Sequence, residues 1–386
     1  MLRQPSIEGQ VSPGYETVKD LFTDNFLTGR ETHAQLCVYV QGAKVVDLWG
    51  TASTQEVGHF TGDSLTNIFS STKSLTSLAM AMMVDRGFIS YTDKICRYWP
   101  EFGKDSKAEL TLADLMRHEA GLATLEHEFE PEDFWPENIK KNNVGKVIEN
   151  HPQTWPANGR REYHALTRGW VANEIFRRVH PAGLTIGEFL QAEVASPLGT
   201  DGVVIGAKHQ DVPHYQPLVN TDCDTDNPRR RDMINHPGGE NGEIWNAEDI
   251  RRGETPSANG NCSARGLALV GAALANKGEH GGVSLLSPDG WEGLHSHATP
   301  GTMLGYQTHF TQGGVATWSG DDARAGYYGW YGYGGSAFQW CPDKQISFAY
   351  VPCLLIPSLS SGDEENRARA LQIQLMQCIK NLSSCL

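Results

Sequence analysis

The stretch Asn67-Ile68-Phe69-Ser70-Ser71-Thr72-Lys73-Ser74-Leu75-Thr76 holds the pattern that decides the fold of this chain. The segment from Ser70 to Asp85 is predicted to be a helix that ends before Gly87, because its apolar residues recur at helical spacing. Ser70 and Lys73 then lie on one face, at the mouth of this helix, where the amine can take the proton of the hydroxyl. Helix N-terminal N–H groups also suit a developing oxyanion. A short Ser-x-x-Lys motif can arise by chance, so Ser70 and Lys73 could instead be ordinary surface residues. Other segments of the chain must decide between the two interpretations. The predicted buried stripe consists of Leu75, Leu78, Ala79, Met82 and Met83.

Composition excludes several classes of protein. The 386 residues are enough for one large domain or two closely packed ones, and 39 % hydrophobic and 20 % charged residues are typical of globular proteins. A net charge of −14 argues against nucleic acids and anionic membranes as partners. The first residues lack the apolar core of a signal peptide, and no apolar run approaches the ~20 residues of a membrane span. The sequence therefore predicts a cytoplasmic protein.

Cofactor motifs are missing from the sequence. The eight cysteines are scattered and none forms a Cys-x-x-Cys pair, which argues against a zinc or redox motif. The acidic residues show no metal-ligand spacing, and no glycine-rich phosphate loop follows a strand. We expect no cofactor and no metal.

The two ends of the chain show the same kind of pattern. Each has two β-rich runs around a turn, which predicts a hairpin, and one amphipathic helix beside it. The predicted hairpins are 35–40 with 45–49 and 336–340 with 346–351, and the predicted helices are Val18–Leu27 and Glu364–Leu382.

This distribution predicts an α+β fold, with one antiparallel sheet built from both termini, flanked by helices, and a mainly helical region inserted between them. We expect 1–386 to form a single unit. Its sheet part would comprise about 1–70 and 325–386, and the inserted part about 71–324. Asp222–Asn246, rich in Asn, Asp, Gly, Pro and Arg, is predicted to be a long ordered loop or flap that could close over a site.

Five segments, in this order and at these spacings, share features with one enzyme superfamily. They are Phe69–Ser74, Leu110–Leu122, Tyr163-His164-Ala165 with Gly169-Trp170, Pro256–Gly260 continuing to Ser263–Ala268, and Gly329–Ser336. Together they resemble the motifs of the serine β-lactamase and penicillin-binding-protein superfamily. The similarity is to its class C-like branch, with the family VIII carboxylesterases and related acyltransferases, and it covers about residues 15 to 355.

The resemblance implies roles for four residues. Ser70 would be the acylated nucleophile and Lys73 its activating partner, while Tyr163 would relay a proton from the attack to the leaving group. That role requires a Tyr163 pKa below the free value of ~10, and a Lys73 ammonium would lower it. The oxyanion hole would use the backbone N–H groups of Ser70 and Tyr333. The alternative for Tyr163 is a core aromatic whose hydroxyl is satisfied.

Two departures from the superfamily pattern bear on the substrate. Ala165 replaces the usual Asn that hydrogen-bonds a substrate amide. The strand triplet, which usually begins with Lys or His, is Trp330-Tyr331-Gly332, as in the family VIII esterases. A penicillin or a D-alanyl peptide carries both an amide and a carboxylate, whereas an ester needs neither partner. Both departures favour an esterase or acyltransferase with weak or absent β-lactamase activity.

The aromatic residues around the triplet and two histidines admit alternative roles. Trp330, Tyr331 and Gly332 are predicted to bind substrate, although the aromatic side chains could instead be ordinary strand packing. His118 and His164 suggest a Ser–His–acid triad, but the resemblance implies that the histidine near His118 is structural. The aromatic set comprises Tyr327, Tyr328, Trp330, Tyr331 and Tyr333.

The leading hypothesis is a serine hydrolase that cleaves a small or medium ester without a cofactor, through an acyl-enzyme on Ser70. One alternative is an acyltransferase of the same fold. Another is a scaffold or filament-forming protein without catalysis, against which the intact Ser70, Lys73 and Tyr163 argue. The expected partner is a small-molecule ester, and the sequence leaves the natural substrate and the oligomeric state open.

Overall fold

A computed structural model describes residues 4–52, 59–104, 106–156, 160–206, 214–220, 245–320, 323–356 and 367–384. The predicted flap over Asp222–Asn246 lies outside these residues except for its last two, Trp245 and Asn246.

A nine-stranded antiparallel sheet forms the centre of the fold, as the sequence predicted. Its strand order is β1-β3-β2-β15-β14-β13-β12-β11-β10, so the N-terminal and C-terminal hairpins meet where β2 pairs with β15. The strands are β1 (Ser6–Val11), β2 (His33–Val40), β3 (Ala43–Thr51), β4 (Thr66–Asn67), β5 (Val203–Ile205), β6 (Val219–Asn220), β7 (Gly260–Cys262), β8 (Glu279–His280), β9 (Val283–Ser284), β10 (Thr299–Met303), β11 (Tyr306–Phe310), β12 (Ala316–Thr317), β13 (Tyr328–Tyr331), β14 (Ala337–Cys341), β15 (Ile346–Pro352) and β16 (Leu354–Leu355).

Helices cover both faces of this sheet. Most of them lie in the part of the chain between the N-terminal and the C-terminal strands. The predicted terminal helices are present as α1 and α12. The helices are α1 (Glu16–Leu27), α2 (Thr72–Asp85), α3 (Leu112–Met116), α4 (Pro136–Ile139), α5 (Asn143–Asn150), α6 (Thr167–Val179), α7 (Ile186–Leu190), α8 (Ser196–Leu198), α9 (Glu248–Arg252), α10 (Ala264–Ala275), α11 (Pro288–His295) and α12 (Arg367–Ser384).

Side chains alternate between the two faces of the sheet along each strand, and a hydrophobic core lies on each face. In β15, Phe348 and Tyr350 contribute to the core shared with α1 and α12, whereas Ala349 and Val351 contribute to the core shared with α2 and α10. Successive side chains of a strand point to opposite faces, so a fully buried run such as β15 requires cover on both. The sheet is therefore a middle layer between two layers of helices.

The C-terminal part of the sheet begins at an earlier residue than the predicted residue 325. Strands β10, β11 and β12 lie before residue 325, inside the region 71–324 that was assigned to the inserted part. Their composition and length hide them from sequence patterns, since β10 contains Pro300 and Gly301 and β12 has two residues.

Helix α2 is buried on all sides rather than along one stripe. Its apolar stripe lies in the core as predicted, but Lys73, Thr76 and Ser77 are buried too. Thr76 Oγ1 donates to the Pro256 carbonyl, and Ser77 Oγ donates to the Gly314 carbonyl at 3.2 Å. These bonds satisfy the buried polar groups and fix α2 against the segments around it. None of the helices within the described ranges has the length and apolarity that a membrane span needs.

Candidate active site

Ser70 lies in a tight turn that leads into α2. The turn Phe69–Ser71 is a 3₁₀ helix, and Ser70 is half-buried in it. Phe69 has a left-handed φ of 43°, which is unusual for a residue with a side chain. The Asn67 carboxamide oxygen accepts the Phe69 backbone N–H at 2.7 Å and holds the turn from the side of β4. Ser70 is thereby presented at the mouth of a rigid helix.

The end of β13 is fixed against this turn. Ser336 Oγ donates to the Ile68 carbonyl at 2.7 Å and lies 3.0 Å from Ser71 Oγ. Gly332 is required here, since a Cβ on it would lie 2.2 Å from Ile68 O. The predicted triplet and the Ser-x-x-Lys segment therefore meet, as their assignment to one site requires.

Three oxygen atoms lie within hydrogen-bond distance of the Lys73 amine. Its Nζ lies 2.7 Å from the Ala165 carbonyl, 3.0 Å from the Ser257 carbonyl and 3.1 Å from Ser70 Oγ, and the residue is 2 % exposed. A neutral amine has two hydrogens and one lone pair. If the two carbonyls accept the hydrogens, the lone pair faces Ser70 and can accept its hydroxyl proton.

Electrostatics favour the uncharged form of the Lys73 amine. Burial, and secondarily the positive charge of Arg168, hold the pKa of Lys73 well below its usual value. No carboxylate is among the causes of this shift. The Lys73 amine therefore remains a proton acceptor at lower pH than an ordinary lysine.

Tyr163 completes the contacts of Ser70. Its hydroxyl donates to Ser70 Oγ at 2.7 Å, and Trp330 Nε1 donates to the Tyr163 hydroxyl at 3.2 Å. The predicted direction of its pKa is wrong: burial raises the pKa of Tyr163 above 10, and Lys73 is not among the groups that lower it. Tyr163 is thus a phenol whose hydroxyl hydrogen points to Ser70 Oγ.

The triplet residues form part of an aromatic stack. The Trp330 and Tyr331 rings are 4.7 Å apart and nearly parallel, and Trp318 stacks on Trp330 at 6.3 Å. Trp330 is buried, whereas Tyr331 is half-buried. Most of the Trp330 ring therefore contacts other aromatic side chains, while its N–H is directed to Tyr163. Substrate binding by this triplet remains a prediction.

Tyr333, the predicted second oxyanion donor, follows the triplet in a short turn, Tyr333–Gly335. Its ring meets the edge of the Phe69 ring at a centroid distance of 5.4 Å. The Gly332 N–H is already donated to the Ser336 carbonyl at 2.8 Å. Tyr333 lies next to the turn that carries Ser70, and its assignment to the oxyanion hole stays a prediction.

His118 and His164 are structural, in agreement with what the resemblance implied for His118. Both are fully buried. His164 Nε2 accepts the Leu122 backbone N–H at 3.0 Å, and the His164 backbone N–H donates to His118 Nδ1 at 3.1 Å. Burial lowers the pKa of His164 to about 4. Within the described residues neither imidazole has a hydrogen bond to Ser70, so the arrangement is not a Ser–His–acid triad.

Three residues around the site were not assigned a role from the sequence. They are Ser257, whose carbonyl accepts from Lys73, Ser336, which bonds to Ile68, and Arg168, whose guanidinium lies beside α2. Ser257 and Ser336 lie in segments that the resemblance had marked, which was the available signal. Arg168 follows Tyr163 by five residues, and nothing in its sequence context indicates burial. Among the described residues no group of three or more His, Cys, Asp or Glu side chains could hold a metal ion.

Known proteins resemble this chain in sequence and in fold. The beta-lactamase family model matches residues 22–372. "Esterase/beta-lactamase LipL" of Mycobacterium tuberculosis is 30 % identical over 375 residues, which cover 92 % of this chain and 85 % of that protein.

Two solved structures share the fold along almost the whole chain. A penicillin-binding-protein homologue from Caulobacter crescentus has a TM-score of 0.82 at 28 % identity, and a family VIII carboxylesterase has a TM-score of 0.82 at 25 % identity. Each covers 97 % of this chain and 100 % of its own. The chain belongs to the beta-lactamase family, as a hydrolase with the fold that the esterases and β-lactamases of this family share.

Proposed function

We propose that this protein hydrolyses small or medium uncharged carboxylic esters through an acyl-enzyme on Ser70. One observation carries the proposal: Ser70 Oγ lies 3.1 Å from Lys73 Nζ and 2.7 Å from the Tyr163 hydroxyl. These distances fit hydrogen bonds to a proton acceptor on one side and a proton donor on the other. A serine without a base is a weak nucleophile, so the pairing with Lys73 supplies what the chemistry needs.

In acylation, Ser70 Oγ attacks the ester carbonyl carbon while its proton passes to the Lys73 lone pair. The carbonyl π electrons move to the oxygen, which the backbone N–H groups of Ser70 and Tyr333 would stabilise. When the tetrahedral intermediate collapses, the C–O bond to the alcohol breaks and Tyr163 protonates the leaving oxygen. The Lys73 ammonium then returns a proton to Tyr163, whose ring centroid lies 4.7 Å from Nζ.

Deacylation repeats these steps with water in place of Ser70. Lys73 accepts a water proton as the water oxygen attacks the acyl carbon, and the bond to Ser70 Oγ breaks. Tyr163, hydrogen-bonded to that oxygen, protonates it and restores the hydroxyl. The products are a carboxylic acid and the free enzyme.

The residues at two positions of the site, Ala165 and Trp330, favour esters over lactams. The Ala165 side chain offers no hydrogen bond to a substrate amide, and its carbonyl is used by Lys73. Trp330 brings a neutral N–H that already bonds Tyr163, so it does not attract a substrate carboxylate. The likeness to a family VIII carboxylesterase and to an esterase/beta-lactamase supports ester cleavage.

The test is hydrolysis of p-nitrophenyl acetate and butyrate by wild type and Ser70→Ala, with intact mass after a fluorophosphonate probe. We expect turnover and labelling in the wild type and neither in Ser70→Ala. An added alcohol acceptor distinguishes an acyltransferase, because transfer would yield a new ester instead of the acid. A wild type that is folded but neither turns over nor labels would overturn the proposal and favour the scaffold alternative.

A further inference from the structure

Arg168 is a buried cation whose hydrogen bonds end on neutral groups. Its Nη2 donates to the Lys73 carbonyl at 3.1 Å and to Ser77 Oγ at 2.7 Å, and its Nη1 donates to the Gly314 carbonyl at 3.1 Å. Nη1 also lies 3.2 Å from His118 Nε2. The residue has no exposed surface, and its Nε has no hydrogen-bond partner.

Within the described ranges, Arg168 has no ion pair with a carboxylate. The nearby buried Arg161 is different, because Glu119 lies 2.6 Å from its Nη2. Buried charges are normally paired, since desolvation makes an unpaired one costly. An unpaired guanidinium that is bonded to the backbone of Lys73 therefore calls for a functional explanation.

We propose that Arg168 is a positioning residue for the reaction at Ser70: its fixed charge keeps the neighbouring Lys73 amine uncharged and able to accept a proton. This inference rests on the proposed function. The guanidinium is bonded to the backbone of Lys73 itself, so its position relative to the amine is set by α2. A cation without a counterion is little screened in a buried site, and it disfavours a second positive charge nearby.

The other titratable groups around this pair do not cancel the effect. His118 and His164 are the imidazoles that face Lys73 and Arg168, and burial holds the pKa of both below the usual range, so they add no charge. Tyr163 is a neutral phenol in the resting site, and the charge of Arg168 favours its ionised form. Burial lowers the pKa of Arg168 itself only to about 10, which leaves it protonated at neutral pH.

The expected effect is a displaced pH profile. Ser70 acylation requires neutral Lys73, so its rate rises as pH passes the pKa of Lys73. At an effective dielectric constant of ~20, a buried unit charge still interacts appreciably with an amine several ångströms away. Removing the Arg168 charge therefore raises the pKa of Lys73, moves the acid limb of the profile upward by about one pH unit or more, and slows acylation on that limb roughly tenfold or more.

The experiment is the pH dependence of fluorophosphonate inactivation for wild type, Arg168→Met and Ser77→Ala. Ser77→Ala removes one hydrogen-bond acceptor of Arg168 but keeps its charge, so its acid limb should coincide with that of the wild type. Arg168→Met should shift the acid limb. The inactivation rate on the plateau should change by less than the loss on the acid limb. A loss in Arg168→Met that is equal at every pH would show a structural role, and no change at all would show no role in the reaction; either result would overturn the inference.

A second measurement covers the case that Arg168→Met does not fold. In wild type labelled with ¹³C-lysine, the Lys73 signal is identified by its absence in Lys73→Arg and titrated by NMR. A Lys73 pKa that is lower in wild type than in Arg168→Gln, which keeps an amide donor but carries no charge, supports the inference, and equal pKa values in the two proteins overturn it. If wild type neither labels nor turns over esters, the proposed function itself fails. Labelling with an unshifted acid limb rejects only the role of Arg168.

Discussion

Replacing Tyr163 by Phe tests the assignment of proton donor and proton acceptor. The change removes the hydroxyl that donates to Ser70 Oγ at 2.7 Å and accepts from Trp330 Nε1 at 3.2 Å. Loss of a positioned general acid typically costs 10²–10⁴-fold in rate, which is about 2.7–5.5 kcal/mol in the activation free energy. We expect a loss of that size for the hydrolysis of an ethyl ester.

The leaving group makes this prediction specific. An ethoxide must be protonated as it leaves, whereas p-nitrophenolate leaves readily without a proton. Tyr163→Phe should therefore reduce kcat/KM for p-nitrophenyl butyrate by only about tenfold. The assay compares kcat/KM for ethyl butyrate and p-nitrophenyl butyrate in wild type and variant, since both esters deliver the same acyl group.

The fold should tolerate the change. The phenylalanine ring keeps the neighbours of Tyr163, with His118 at a centroid distance of 5.1 Å and Trp330 at 6.2 Å. The unpaired Trp330 N–H lowers the free energy of unfolding by about 1–3 kcal/mol. Tyr327→Phe is a matched control, because Tyr327 is a fully buried tyrosine whose hydroxyl contacts Met376 Sδ in the core shared with α1 and α12. An equal loss on both esters in Tyr163→Phe would refute the general-acid role.

Three further predictions concern the base, the turn and the substrate. Lys73→Arg introduces a side chain that stays positively charged and has no accessible neutral form, so ester turnover should fall at least ~10²-fold at every pH; recovery at high pH would contradict the role of Lys73 as base. Gly332→Ala places a Cβ 2.2 Å from Ile68 O, so the Ser70 turn must shift; we expect about 1–3 kcal/mol less stability in a denaturant titration and a lower kcat, and an unchanged kcat would separate this contact from catalysis. Nitrocefin turnover should be weak or absent beside ester turnover, and efficient hydrolysis would contradict the argument from Ala165 and Trp330.

Local sequence patterns were sufficient for much of the fold. The hairpins β2–β3 and β14–β15 have β-rich runs on both sides of a short turn, and their prediction was confirmed. Strands β10 and β12 were missed because their pairing, rather than their composition, makes them strands: Pro300 pairs with His309, and Ala316 pairs with Gly329. Such strands are specified by their cross-strand pairing, which composition and periodicity do not detect.

Burial explains what the sequence could not predict about the site. The motif order identified Ser70, Lys73 and Tyr163 as one group, and the structure brings them together. It could not indicate that Lys73 is buried or that burial raises the pKa of Tyr163, so the pKa of Tyr163 was predicted in the wrong direction. Arg168 was missed for the same reason, since an arginine in a helix is usually exposed.

The most direct test of the account is to locate the acyl group during turnover. Wild type mixed with p-nitrophenyl butyrate is quenched in acid within the first turnovers, digested, and mapped by mass spectrometry. The account predicts a butyryl group on the peptide that contains Ser70, formed together with a burst of p-nitrophenol and absent from Ser70→Ala. Turnover without an acylated Ser70, or an acyl group on another residue, would contradict it.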